Sequence, residues 1–337
     1  MAPLSALLIT DGRPGHFQLS EGVLAAVARL KPVTISRLEV RRPRLITPGM
    51  LWRLSKLLTP SQLLRTAHGI EPPSLGSPGL IVSAGGDTLA ANIAAARISG
   101  APNIFYGSLR RYDALQFSLV LTSYAERVRT PNTVMTLKPS ARDPDAARPR
   151  HAPQDSTPVA GLLVGGDAGT FRYREQDWSN LLEFLKSDKV RSSRRWIVSN
   201  SPRTPNAISD RISRLAAEPE SPITEFIDVR RAGTGTLDRL FTFSGSIICT
   251  GDSSSMLSEA VWMRRPVVAV FPAGSSLPPD EQGYRVYLEK SGWACSVPLA
   301  DLTPARFEAC LKDIRPLGRN PLDELSALIS DRLPALA

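Results

Sequence analysis

This chain offers little for cofactor or metal chemistry. Its 337 residues include only three cysteines and three histidines. Cys249, Cys295 and Cys310 are scattered, odd in number and without metal-ligand spacing. That pattern excludes a recognisable zinc site and predicts reduced thiols in a reducing compartment, with no disulfide framework. Cys249 sits in the apolar run "SIICT", where a core role is expected. No Walker A, G-x-S-x-G or H-E-x-x-H pattern is present. "SAGGDT" and "VGGDAGTF" do not form G-x-G-x-x-G, so dinucleotide binding is not expected. Aromatic residues make up only 6% of the chain and do not interleave with its basic clusters. The composition does not fit a nucleic-acid partner, and none is predicted. No apolar run approaches the roughly 20 residues of a membrane span. "MAPLSALLITDG" carries no basic leader and too short an apolar run for a signal peptide. The expectation is a cytoplasmic protein, soluble or peripheral at the inner membrane.

What is present suits a globular chain of two domains, each of about 100–200 residues. Hydrophobic residues make up 42% and charged residues 22%. Forty-one Lys+Arg stand against 32 Asp+Glu, a formal net charge of +9. Such an excess suits phosphate-bearing partners, and it equally serves solubility.

The pattern along the chain is α/β. "LSALLIT" reads as a buried parallel strand, and Leu19, Val23, Leu24, Val27 and Leu30 follow at near-helical spacing. "VTISRLEV" is a second strand. "GLIVSAGGDTLAANIAAARISGAPNIFYGS" is a βαβ unit in which Asp87 or Thr88 can cap the helix. Between them, "RRPRLITPGMLWRLSKLLTPSQLLR" mixes basic residues with Leu45, Met50, Leu51, Trp52 and Leu57. That stretch suits either an anionic membrane surface or a helix packed on its domain with a solvated basic face. "PSARDPDAARPRHAPQDSTP" is nearly devoid of apolar residues and reads as a linker or mobile loop, with His151 solvated and inert.

After that the α/β rhythm restarts. The predicted organisation is a first domain over 1–138, a linker over 139–158, a second domain over 159–310, and a terminal helix over 311–337 that can cross back. Two doubly wound domains facing an interdomain cleft are expected, with ligands at the carboxyl ends of the strands.

Five loops carry candidate chemistry. In "CTGDSSSMLSEA" an apolar strand ends in Thr250, Gly251, Asp252, Ser253, Ser254 and Ser255, and a helix begins. Backbone N–H groups at a helix start attract phosphate. Glu259, four residues past Ser255, shares its face and suits ribose hydroxyls. A plain helix cap by Asp252 or Ser253, with Met256 in the core, also accounts for the serines. In "DGRPGH", Gly12 and Gly15 permit a tight turn, Arg13 brings charge, and His16 suits a general base. A Pro-Gly turn with a satisfied histidine is the ordinary alternative. In "SAGGDT", Gly85, Gly86 and Thr88 shape a pocket, and Asp87 is a second candidate base or merely a cap. In "VGGDAGTF" and "SNSPRTP", Gly165 and Gly166 admit a diphosphate that Arg203 neutralises, or Arg203 is simply a surface residue. Asp167 has no second carboxylate at ligand spacing and reads as a cap.

Taken in order, "ITDGRPGH", "SAGGDT", "LLVGGD", "SNSPRTP" and "TGDSSSMLSEA" resemble the ELM1-like family over roughly residues 5–300. That family is named for a plant mitochondrial fission factor, and its bacterial members are regarded as GT-B glycosyltransferases. The resemblance implies two Rossmann-like domains, with a nucleotide-sugar donor held mainly by the second. It implies a lipid-linked or cell-envelope glycan acceptor bound by the first, and a metal-independent reaction. The family's Asp-Gly-Arg-Pro-Gly-His falls on Asp11 to His16, and its Gly-Asp-Ser-x-Ser-Met-x-x-Glu-Ala on Gly251 to Ala260. Met256 belongs to the donor-site set by that match. The chain departs from the pattern at Phe17, where a polar residue is expected, and in carrying a single arginine in "SPRTP". A non-enzymatic adaptor on the same fold and a nucleotide-sugar epimerase are the competing functions.

Overall fold

The computed structural model describes residues 2–147, 157–233 and 236–336. Two compact units form. Unit 1 comprises Met1–Arg142 and Pro321–Ala337, and unit 2 is Asp143–Asn320. His151 lies outside the described residues.

In unit 1 the elements run β1 (Leu4–Thr10), α1 (Pro14–Ala28), β2 (Val33–Glu39), α2 (Pro48–Leu57), α3 (Pro60–His68), β3 (Leu80–Ala84), α4 (Leu89–Ser99), β4 (Asn103–Tyr106), β5 (Leu119–Thr122) and β6 (Thr133–Met135). They build one parallel sheet of order β2-β1-β3-β4-β5-β6. β3, β4 and β5 are buried along their whole length, as strands of a parallel sheet covered on both faces must be. β2 is the exposed edge.

α4 shows why the sequence folds as it does here. Its alanines bring the helix close to the sheet, and residues 89 to 95 are all buried. Asn92 is buried among them and fully used. Its Nδ2 donates to Ser83 Oγ at 2.8 Å and to the Ile104 carbonyl at 3.2 Å, and its Oδ1 accepts from Asn103 Nδ2 at 2.7 Å. A buried amide is tolerated only with such partners. Gly100 then ends the helix at φ 72°, a conformation that favours glycine.

Unit 2 runs β7 (Val159–Leu163), α5 (Glu175–Lys186), α6 (Asp188–Ser193), β8 (Arg195–Ser199), α7 (Asn206–Ala216), β9 (Ile223–Ile227), α8 (Val229–Ala232), α9 (Asp238–Phe243), β10 (Ser246–Thr250), α10 (Ser254–Trp262), β11 (Val267–Phe271), α11 (Pro279–Lys290), β12 (Ala294–Pro298) and α12 (Pro304–Asp313). Its parallel sheet has the order β12-β11-β10-β7-β8-β9. Phe184, Trp196 and Phe307 form its aromatic centre, with Phe184 edge-on to both partners. The last helix, α13 (Pro321–Arg332), packs on α1 and belongs to unit 1.

Two expectations need correction. Cys295 in β12 and Cys310 in α12 form a disulfide, with Cα atoms 6.0 Å apart. α12 folds back on the sheet and brings together thiols whose 15-residue spacing carried no signal, so the cysteines no longer support a reducing compartment. The linker reading of 139–158 also fails for its first residues, which are packed. A Cβ on Gly22 of α1 would lie 2.5 Å from the Pro139 carbonyl carbon. Asn320 Nδ2 donates to Asp143 Oδ1 and Asp145 Oδ2, each at 2.9 Å. The low apolar content there reflects polar clamping as well as solvent. Residues 148–156 lie outside the described residues.

Candidate functional site

In a doubly wound sheet, ligands bind beyond the carboxyl ends of the strands where the strand order reverses. In unit 1 the order reverses between β1 and β3, and in unit 2 between β7 and β10. The four loops that leave these strands are 11–16, 85–88, 164–169 and 251–255. They are four of the five candidate loops of the sequence, two in each unit, and the fifth, which carries Arg203, follows β8.

In unit 1, Asp11 follows β1 directly. Its Oδ1 accepts from the Arg13 N–H at 3.2 Å, and its Oδ2 lies 2.8 Å from His16 Nδ1. Gly12 makes the turn at φ 76°. With Nδ1–H donating to the carboxylate, the imidazole presents Nε2 as its acceptor. No described residue hydrogen-bonds that atom. The glycine of the second loop answers to this histidine: a Cβ on Gly85 would fall 2.1 Å from His16 Nδ1. Gly15 differs from the expectation. It lies within α1, and a Cβ there would meet nothing within 4 Å.

Asp87 does not cap α4. It sits inside an arginine cluster. Arg42 Nε donates to Oδ1 at 3.1 Å, Arg110 lies 3.7 Å from Oδ1, and Arg13 lies 3.7 Å from Oδ2. Thr88 occupies the cap position but spends its hydroxyl on the Ala84 and Gly85 carbonyls. Gly86 makes room for Arg110, since a Cβ would come within 2.2 Å of its Cζ. Arg42 and Arg110 escaped the sequence reading. Arg110 carried one signal, its place in the loop after β4 at the carboxyl edge of the sheet.

In unit 2, Ser253 caps α10, accepting from the Met256 N–H at 3.4 Å. Ser255 in the first turn is exposed, while Ser254, Met256 and Glu259 are half-buried. Asp252 turns inward, its side chain 0% exposed. Its Oδ2 accepts from Arg203 at 2.7 Å and its Oδ1 from the Tyr173 hydroxyl at 3.1 Å. Burial and the neighbouring carboxylate push the Tyr173 phenol well above its ordinary range. Arg203 is thus anchored at one end while its side chain stays 43% exposed, a geometry that leaves guanidinium donors for an anion. Asp252 is accordingly an anchor for Arg203 rather than a group open to ligand.

The glycines here have a different reason from the one expected. A Cβ on Gly165 would lie 2.2 Å from Asp252 Oδ1, and one on Gly166 would lie 2.0 Å from the Arg203 carbonyl oxygen. Protein, not ligand, fills that space. Thr250 is fully buried, and its Oγ1 accepts the Gly165 N–H at 2.6 Å. Gly251 is held by buried Arg285, which donates to its carbonyl at 2.5 Å. Asp167 caps a turn by accepting from the Tyr173 N–H at 2.9 Å. Cys249 is buried, and burial pushes its thiol up, away from reactive thiolate. Among the described residues no cluster of three or more His, Cys, Asp or Glu side chains could hold a metal.

Solved structures share the two-unit Rossmann-like, GT-B-type fold. MurG of Acinetobacter baumannii is 14% identical with a TM-score of 0.54, covering 98% of this chain and 100% of its own. The glycosyltransferase SnogD of Streptomyces nogalater is 15% identical with a TM-score of 0.54, covering 99% of this chain and 96% of its own. The UDP-GlcNAc 2-epimerase of Methanocaldococcus jannaschii is 13% identical with a TM-score of 0.54, covering 98% of this chain and 100% of its own. No curated protein matches the sequence. The profile described as mitochondrial fission ELM1 matches residues 14–295. Because that match spans well over half of the sequence, the chain belongs to the mitochondrial fission ELM1 family.

Proposed function

We propose that the chain is a glycosyltransferase that uses a nucleoside-diphosphate sugar. The observation that carries this reading is the pairing of Arg203 with buried Asp252 beside the open first turn of α10. A half-exposed guanidinium held by a sequestered carboxylate is pre-aimed, and an anion at a helix start gains from the backbone dipole. Glu259, one turn further along α10, would accept hydrogen bonds from the ribose hydroxyls. UDP-sugar chemistry in a protein of similar fold supports the same class of ligand.

Unit 1 supplies the base in this reading. His16 Nε2 takes the proton of an acceptor hydroxyl while Asp11 holds the ring and stabilises the imidazolium. The hydroxyl oxygen bonds to the anomeric carbon as the bond from that carbon to the diphosphate oxygen breaks. The nucleoside diphosphate leaves with the electron pair, and Arg203 and the start of α10 offset its charge. A positioned base favours a single displacement with inversion. The exposed Leu45, Met50 and Leu57, among Arg44, Arg53 and Lys56, support an acceptor presented at an anionic membrane surface.

A thermal-shift panel of uridine, guanosine, cytidine and thymidine diphosphates and their sugars tests the donor assignment. A ligand at 100 times its Kd stabilises by about 2.7 kcal/mol. At least one nucleotide should raise the melting temperature of the wild type, and Arg203→Gln and Glu259→Ala should reduce the rise. No rise with any nucleotide overturns the proposal.

A further inference from the structure

The arginine cluster around Asp87 is larger than one carboxylate needs. Arg42 is spent on structure, with Nε on Asp87 and a terminal nitrogen on the Ile46 carbonyl. Arg13 and Arg110 are not. They stand 3.7 Å from opposite oxygens of Asp87, at ion-pair distance, and among the described residues neither side chain makes a hydrogen bond. Their side chains are 62% and 40% exposed, so the donors face outward. Asp11 is the second carboxylate of the cluster, 3.8 Å from Arg13 Nε. Three guanidiniums thus stand against two carboxylates.

The backbone is shaped for this arrangement. Arg110 has a φ of 53°, a left-handed conformation costly for a residue with a side chain and one that collects at ligand sites. A Cβ on Gly86 would displace the Arg110 guanidinium from its present position. The starts of α1 and α4, which adjoin the cluster, both lack a side-chain cap. Arg110 also lines a 370 Å³ cavity with Arg127, Arg129, Ser108, Thr130 and Asp113, where arginines again outnumber the carboxylate. Guanidinium forks with several hydroxyls match phosphate geometry.

We propose that unit 1 binds a phosphate-bearing acceptor, a phosphomonoester or diphosphate ester, through Arg13 and Arg110 beside Asp87. This rests on the reading above that unit 1 takes the acceptor, and it specifies that acceptor's chemical class. The acceptor's phosphate sits at the switch point, next to the His16 that receives the hydroxyl proton.

The test is calorimetric titration with inorganic pyrophosphate. It is run on the full chain saturated with a binding nucleoside diphosphate, and on Arg203→Gln without nucleotide. One equivalent of pyrophosphate should bind in both. Arg110→Gln and Arg13→Gln, at exposed positions that spare the core, should each weaken it about tenfold or more. Arg110→Lys should recover part of the loss. Binding abolished by Arg203→Gln and untouched by Arg110→Gln, or no binding at all, overturns the proposal. If nucleotides fail to bind while Arg110-dependent pyrophosphate binding persists, the donor assignment falls and the phosphate site stands. A second arm separates the sources. Competition by glucose 1-phosphate supports a soluble sugar phosphate. Arg110-dependent competition by phosphatidylcholine vesicles carrying phosphatidic acid, with none by glucose 1-phosphate, supports a lipid-linked one.

Discussion

Substituting Gly165 by alanine is the sharpest probe of how the unit 2 site is built. The new Cβ would lie 2.2 and 2.3 Å from the two carboxylate oxygens of Asp252 and 2.5 Å from its Cγ. Asp252 cannot swing aside cheaply, because Arg203 and Tyr173 hold it from the other side. Overpacking of this kind costs about 1–3 kcal/mol. Loss of the Tyr173 hydrogen bond adds roughly 1 kcal/mol. The Arg203 contact adds little more, since its partly exposed guanidinium recovers water. A total of about 2–4 kcal/mol follows from. Asp252→Ala alone should also destabilise, by removing the acceptor of the Tyr173 hydroxyl and the partner of Arg203. In Gly165→Ala/Asp252→Ala, however, the methyl occupies the vacated space. The double variant should be more stable than the sum of the singles predicts, by about 1–2 kcal/mol. Urea unfolding followed by tryptophan fluorescence suits the measurement, because Trp178, Trp196, Trp262 and Trp293 all lie in unit 2 and only Trp52 lies in unit 1. Additive losses, with coupling below about 0.5 kcal/mol, would refute the claim that Gly165 exists to admit Asp252.

Other outcomes follow from the same geometry. Asp11→Asn should lower sugar transfer by about 100-fold or more through a misassigned tautomer of His16, with nucleotide affinity unchanged in the thermal-shift assay. Asp228, held by Arg230 and by Asn200 Nδ2 at 2.9 Å, has its carboxyl depressed to about 2 from the usual 3.8. A depressed carboxylate contributes stability above its unfolded value, so the advantage of the wild type over Asp228→Asn should be full at neutral pH. It should shrink below about pH 4 and vanish near pH 2, and a gap in melting temperature that stays constant across that window argues against the network. Leu45→Glu/Leu57→Glu should leave the folding free energy unchanged within about 0.5 kcal/mol. The same variant should lose cosedimentation with anionic vesicles, and retained cosedimentation discounts α2 as a membrane face.

The sequence read well where one strand meets one loop. "LLIT" before "DGRPGH" and "SIICT" before "GDSSS" announced buried parallel strands ending in small polar residues. The strand order then placed those loops at the two switch points. What stayed hidden were partnerships across distance. Asp252 looked like a cap or a ligand group because its partner Arg203 lies 49 residues away. Asp87 looked like a base because Arg42, its hydrogen-bonded partner, is 45 residues away on a basic stretch read as a surface. The glycines were legible as places of close approach, but local sequence does not say what approaches. Cys295 and Cys310 failed for the same reason, since a bond across a βα unit leaves no local trace.

The polypeptide leaves unit 1 at Arg142 and returns to it at Pro321, where α13 packs on α1. One unit is therefore inserted within the other. During synthesis the inserted unit has its entire chain available first. The other unit waits for helix α13, which covers α1, to follow the inserted unit out of the ribosome. Clipping the chain before Pro321 should thus uncover α1 and damage the half that carries His16, nearly the whole sequence away, while the half that carries Arg203 keeps every one of its strands.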